Sequence, residues 1–401
     1  MNKRVYLHIG YYKTGTSSIQ HYCDSHKKKL LSHGILYPAT GLLAPNGTHG
    51  LLSLKRLEEI GEDAPQWFRI KIGKIKHVDT AESIWKRAVR EIDASPADRI
   101  VISSEAFVKY AANDKTKALI REVCEYLASY DVRIICYIRR QDDYLESWYN
   151  QIVKAGHPVP YGCSLKTLEG LGPMQQNFLK TLDAWEEVFG RERMIVRIYD
   201  RGMLVGNDVV CDFLHLLSIK EDFGEDGPCG GIQKNVGLSK RLIEIKRRYN
   251  YFVDRSGERP RDGSIRINEV LRAVETVQAA WAEEKGPRLL TTEDRRLVLE
   301  RNEGINREIS NRYFNGKWPL FTEIGDDEAT VSVAGEPGMK EMLLVLLGMV
   351  TKRYLWGHAA VGDMRSLEEL LRRIEEIEHS RSWRVTAPLR KASAFFRRRD
   401  Q

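Results

Sequence analysis

The chain lacks any long apolar run. Its longest, Met342–Val350, is nine residues, less than half of the about twenty that a bilayer-spanning helix requires, so a chain that does not cross a membrane is expected. Cysteine is sparse and scattered. Cys23, Cys124, Cys136, Cys163, Cys211 and Cys229 form no C-x-x-C pair, which argues against a zinc knuckle or a disulfide framework and fits a reducing cytoplasm. No His, Cys or Asp stand at metal-ligand spacing either, so no metal is expected. A secretory leader is not read at the start: Met1-Asn2-Lys3-Arg4 is basic, but Val5–Gly10 is too short and polar for a signal core.

The body also lacks excess charge. Of the formal net +7, from 63 Lys+Arg against 56 Asp+Glu, six units fall in residues 380–401, where seven basic residues face Asp400 alone. A basic chain invites a nucleic-acid reading. Here the excess is a terminal patch, and no nucleic-acid partner is expected.

What is present suits a folded core: 401 residues, 42% hydrophobic, too apolar for a disordered chain. Residues 3–9, 34–38, 99–103, 132–138 and 194–199 read as strands. The fourth is almost continuously apolar, as strands covered on both faces are. Helical spacing runs over 16–31, 80–93, 114–129, 142–154, 175–189 and 207–218. Strand alternating with helix predicts an α/β fold with a parallel central sheet. After residue 230 the strands stop, and 237–253, 268–284 and 292–313 read as helices. The expected division is an α/β domain over 1–325, a linker at 326–338, and a helical, basic extension over 339–401, amphipathic through Leu367, Leu370, Leu371, Ile374 and Ile377.

The first strand runs into Gly10-Tyr11-Tyr12-Lys13-Thr14-Gly15-Thr16-Ser17, and a helix follows. Strand, glycine turn and helix start make an anion cradle: backbone N–H groups and the helix dipole favour negative charge there. Lys13 adds a point charge, and Thr14, Thr16 and Ser17 add hydroxyls. A nucleoside-triphosphatase loop needs G-x-x-x-x-G-K-[ST]. Gly10 and Gly15 have that separation, but Thr16 stands where the lysine belongs. The expected ligand is therefore a shorter anion on a 5′ carbon.

Tyr12-Lys13-Thr14-Gly15-Thr16-Ser17 resembles the 5′-phosphosulfate loop of sulfotransferases, P-K-[ST]-G-[TS]-[TS], with Tyr12 in place of the proline. Those enzymes use 3′-phosphoadenosine 5′-phosphosulfate (PAPS) as co-substrate. A second stretch carries the resemblance further. Family members place an arginine at the end of the fourth strand and a serine eight positions on, both for the donor's 3′-phosphate; Arg139 and Ser147 have that separation. Tyr137 through Gln151 matches a bacterial Y-x-R-R-Q-x-D-Y-x-x-S-W-Y-N-Q pattern, while Arg140-Gln141 departs from the commoner Asn-Pro. Tyr199-Asp200 is similar to the family's Tyr-Glu pair near the adenine. Lys234, in Gln233-Lys234-Asn235, loosely resembles the loop closing over the 3′-phosphate. The resemblance covers roughly residues 3–320 and implies a P-loop-like three-layer fold.

It also implies the chemistry, an in-line sulfuryl transfer to a hydroxyl or amine. Lys13 and the loop amides would stabilise the departing phosphate. In related enzymes the base is a Glu or His after the second or third strand. His49, in Asn46–Gly50, and Glu105, in Ser103-Ser104-Glu105, both hold such positions, at the sheet edge where open α/β sheets bind ligands. Lys109 and His8 read as a surface and a strand residue.

Ser380–Arg390 resembles an S-x-S-W-R-[LV]-T-x-P-L-R segment that ends bacterial glycosyltransferases and other cell-surface polysaccharide enzymes. That implies a carbohydrate acceptor, a surface polysaccharide or glycolipid precursor. Phe395-Phe396 beside Arg397-Arg398-Arg399 suits an anionic membrane surface or polysaccharide-assembly proteins as partners, and so a place at the inner face of the membrane. Two other classes stay open from sequence: a P-loop kinase, and a non-catalytic nucleotide-binding or membrane scaffold.

Overall fold

The computed structural model of the chain describes residues 3–219 apart from 45–46, 63, 74–78, 158, 160–164 and 166–176, the helical positions 243, 246, 247 and 250, and residues 290–324. Contacts divide the chain into two units. One comprises Met1–Tyr149, Ser164–Val236 and Leu290–Ala329; the other Asn150–Cys163, Gly237–Leu289 and Thr330–Gln401. The helices read at 268–284 and 339–394, the linker at 326–338 and Lys234 lie outside the described residues.

The first unit is built on five strands, β1 (Arg4–Gly10), β2 (Ile35–Leu36), β3 (Arg99–Ser103), β4 (Asp131–Ile138) and β5 (Met194–Ile198). They form one sheet in the order β2-β3-β1-β4-β5, with every pairing parallel. The order follows from where helices can go. Each crossover carries helices onto a face, and both faces must then be apolar.

On one face Val5, Leu7, Ile9, Ile100, Ile102, Ile134 and Ile138 pack with Trp85, Leu119 and Trp185. These three come from α5 (Ala81–Ala94), α6 (Asp114–Tyr126) and α8 (Phe178–Phe189). On the other, Tyr6, Val101, Ile135 and Tyr137 meet Ile19 and Cys23 of α1 (Thr16–Ser25) and Val210 and Phe213 of α9 (Val209–Leu216). The result is the three-layer, P-loop-like α/β arrangement expected. β2 and β3 lie to one side of β1, and β4 and β5 to the other. The strand order therefore reverses at β1, the kind of switch point where such sheets bind ligands.

Several elements differ from the expected spans. The helix read over 16–31 is two, α1 and α2 (Lys27–Ser32), broken at His26. There the His26 backbone N–H and ring Nδ1 both donate to Tyr22 O at 2.9 Å, and the two rings stack at 4.3 Å. The helix read over 292–313 breaks at Asn302 into α10 (Thr292–Arg301) and α11 (Glu303–Tyr313), where Asn302 Nδ2 donates to Val298 O at 2.8 Å. Two helices, α3 (Gly50–Glu59) and α4 (Gln66–Gly73), stand between the second and third strands, where no helical spacing is read before residue 80. Strand 34–38 shrinks to two residues at the sheet edge.

A buried ionic clamp ties the end of the first unit to the start of α7 (Gln141–Lys154). Asp142 receives Arg140 Nε at 2.8 Å and Nη2 at 3.1 Å, and Arg295 Nε at 2.6 Å. Arg140 Nη1 donates to Thr322 O at 2.8 Å, and Gln141 Nε2 to Asn306 Oδ1 at 2.6 Å. In the second unit, Asn250 Nδ2 donates to Val153 O at 2.8 Å, and Arg247 Nη1 to Val159 O at 3.1 Å.

Candidate functional site

β1 leaves the sheet at Gly10, whose φ is +106°. A Cβ there would lie 3.1 Å from Glu105 Cα, so only glycine lets the two backbones come this close. Tyr11 N–H then donates to Tyr137 O at 3.1 Å, carrying the chain along β4. Lys13 and Gly15 both take left-handed φ, +63° and +79°, and the loop turns back on itself. The turn is closed from inside: Thr14 Oγ1 and Thr16 Oγ1 donate to the same Tyr11 carbonyl, at 2.6 and 2.9 Å. Ser17 is exposed. Gly15 caps α1 without any side-chain hydrogen bond. The helix therefore starts with its first-turn N–H groups uncapped by a side chain, beside Lys13, as an anion site needs.

Gly15 also has no room for a side chain. A Cβ would sit 2.7 Å from Val209 Cγ1 and 2.9 Å from Tyr199 Cε2. Tyr199, just past β5 with its N–H on Ile138 O at 2.7 Å, is thus placed directly against the loop. Arg139 follows β4. Its Nη1 donates to Lys13 O at 3.2 Å, and its guanidinium lies 5.5 Å from the Tyr199 ring centroid. Arg139 and Arg140 part company here: the first reaches the glycine loop, while the second is buried in the Asp142 clamp. Ser147 lies half-buried on α7, and its neighbour Trp148 meets the Tyr12 ring edge-on at 6.3 Å. Lys13, Thr14, Gly15, Thr16, Arg139 and Tyr199 are brought together, with Ser147 one residue from the Tyr12 contact.

The two expected bases part ways. Glu105 opens a short 3-10 helix (Glu105–Ala111) that Ser104 Oγ caps by accepting from Ala106 N–H. Its Oε2 accepts from Gln20 Nε2 at 2.8 Å, so the carboxylate is tied to α1 beside the loop. His49 is fully buried instead. Its Nδ1 accepts from Ser103 N–H at 3.1 Å, and its Nε2 lies 3.0 Å from the Pro38 carbonyl and donates to it. Burial pushes its pKa down to about 4 against the pull of those two hydrogen bonds. A neutral ring with both nitrogens committed to backbone staples the 38–49 segment to the end of β3. The geometry thus departs from the expected role of His49 as base: its basic lone pair is taken by an amide.

His8, as expected, is a strand residue. It is buried, its Nδ1 lies 2.8 Å from Ser103 Oγ, and burial holds its pKa near 3. Among the described residues no three His, Cys, Asp or Glu side chains are grouped to hold a metal ion. Two features escaped sequence reading. Gln20 is buried on α1 between Ile19 and Cys23, and a polar residue in an apolar stripe was the available signal. The Asp142–Arg295 pair had none, since its members are far apart in sequence.

No family model matches the chain, and neither does any solved structure. An uncharacterized protein of Archaeoglobus fulgidus is 28% identical over 218 residues, 54% of this chain and 54% of its own length. The chain thus spans about half the length of the curated relative it matches.

Proposed function

We propose that this protein is a PAPS-dependent sulfotransferase acting on a hydroxyl or amine of a carbohydrate. The observation that carries the reading is the reach of Arg139 from the end of β4 to the Lys13 carbonyl, with Tyr199 against Arg139 and Gly15. The two stretches that resemble phosphate-binding motifs, 126 positions apart, are joined by this hydrogen bond, which supports one shared ligand. When bound, PAPS supplies an activated sulfuryl group on a bisphosphorylated adenosine.

The residues fit such a donor. Lys13 and the first-turn amides of α1 face the 5′ end and offset the charge that grows on the departing phosphate. Arg139 offers a planar fork to the 3′-phosphate, with Ser147 as a further donor. Tyr199 provides a flat face for the base. Glu105 takes the proton of the attacking hydroxyl or amine as its oxygen or nitrogen bonds to sulfur and the sulfur–phosphate oxygen bond breaks; such help is worth about 10²–10⁴ in rate.

The carbohydrate class rests on the resemblance of Ser380–Arg390 to polysaccharide enzymes. The same tail supports a peripheral place at an anionic membrane face. No helix among the described residues is long and apolar enough to cross a membrane. Calorimetry separates this reading from a kinase. Adenosine 3′,5′-bisphosphate should bind at micromolar concentration without metal, and more tightly than ATP with Mg²⁺; the reverse order would overturn the sulfotransferase reading.

A further inference from the structure

We infer that Gln20 is the positioning residue for this site's base, holding the Glu105 carboxylate by its side-chain amide. The inference rests on the sulfotransferase reading and on Glu105 as its base.

Gln20 is 1% exposed. It sits one turn after Thr16 on α1, on the inward stripe that also holds Ile19 and Cys23. An apolar residue would fill that position at no polar cost, whereas a buried amide must find partners. Its partner is Glu105 Oε2, 2.8 Å away and 85 positions distant in sequence. An amide suits the task. It donates to the carboxylate, carries no charge, and cannot compete for the acceptor's proton.

The arrangement joins both ends of the reaction to one rigid element. The start of α1 forms the anion cradle for the departing phosphate, and the next turn fixes the base. The bare Cα of Gly10 lets the Glu105 backbone approach the same loop. With Oε2 held by Gln20, Oε1 is the oxygen left to accept the proton of the attacking hydroxyl. Misplacing such a group by about 1 Å costs as much as 10²-fold in rate.

The test is a double-mutant cycle using PAPS with water as the acceptor, so no identified carbohydrate is needed. The rate is read as adenosine 3′,5′-bisphosphate released, and the affinity for that bisphosphate is measured by calorimetry on each variant. Gln20→Met keeps length and volume but removes the donor. It should lower the rate about tenfold and leave bisphosphate affinity within about twofold. Glu105→Gln should lower the rate about 10²-fold. The double variant should be no slower than Glu105→Gln alone, because the two groups act as one.

A Gln20→Met rate equal to wild type, or the same fractional loss in the Glu105→Gln background, overturns the role of Gln20 while the sulfotransferase reading stands. Full activity in Glu105→Gln with the donor still bound overturns the base and this inference together. A wild-type protein that binds no bisphosphate overturns the sulfotransferase reading and the inference with it. If Gln20→Met fails to bind, Gln20→Leu, also apolar and without the amide donor, replaces it in the cycle. Loss of binding in both makes Gln20 a folding requirement and overturns the inference.

Discussion

Replacing Asp142 with asparagine should destabilise the first unit by a large share of its folding free energy. The carboxylate is fully buried and meets two guanidinium groups, Arg140 through two hydrogen bonds and Arg295 through one. The amide of D142N would keep the shape and remove the charge that the two arginines share. Taking one partner from a buried ionic group costs about 3–5 kcal/mol, against about 5–15 kcal/mol for a whole domain. With urea m-values of about 1–3 kcal/mol/M, the unfolding midpoint should fall by about 1 M or more. The assay is urea unfolding followed by tryptophan fluorescence, at pH 7 and again near pH 3.

The pH arm tests the electrostatic origin. Burial alone would raise the Asp142 pKa, but Arg140 and then Arg295 outweigh it and hold the carboxyl below its usual 3.8. A depressed folded pKa contributes stability above the unfolded value and loses it as pH falls through the lower folded one. The wild-type and D142N midpoints should therefore converge in acid. A shift below about 0.3 M at pH 7, or a gap unchanged by acid, would mean that the Asp142 charge does not hold the clamp together.

Two further predictions concern the sheet and the loop. His8 and His49 are held neutral by burial, near pKa 3 and 4 against 6.5 unperturbed. Stability should be full above pH 6.5 and fall as pH drops toward 4, by about 3 kcal/mol for His49 alone; a thermal midpoint constant between pH 7 and 5 would contradict it. Gly15→Ala forces a Cβ into Val209 and Tyr199 at a left-handed φ. It should abolish bisphosphate binding in calorimetry, and a variant that binds like wild type removes the loop from the site.

The parts legible in the sequence were those with local signals. β4 announced itself because a strand covered on both faces is almost continuously apolar, β1, β3 and β5 as shorter apolar runs alternating with helical spacing, and the glycine loop because strand, turn and helix start are contiguous. The α3 helix was hidden because its inward positions include Gly50 and Ser53, which interrupt the apolar stripe. The breaks at His26 and Asn302 depend on a side chain bonding back one turn, which periodicity does not register. His49 had the right place in the chain for a base, yet the amide that occupies its Nδ1 belongs to Ser103, 54 positions on. Arg139 and Arg140 look alike in sequence. Only packing sends one to the loop and the other to Asp142.

The central claim, that Lys13 and Arg139 hold opposite ends of one ligand, is tested most directly by a four-way calorimetric cycle. Wild type and Arg139→Ala are each titrated with adenosine 3′,5′-bisphosphate and with adenosine 5′-monophosphate. Wild type should prefer the bisphosphate by about 10–100-fold, the worth of a charge-assisted contact, and Arg139→Ala should bind both alike. A preference that survives the substitution, or none in wild type, would contradict the account.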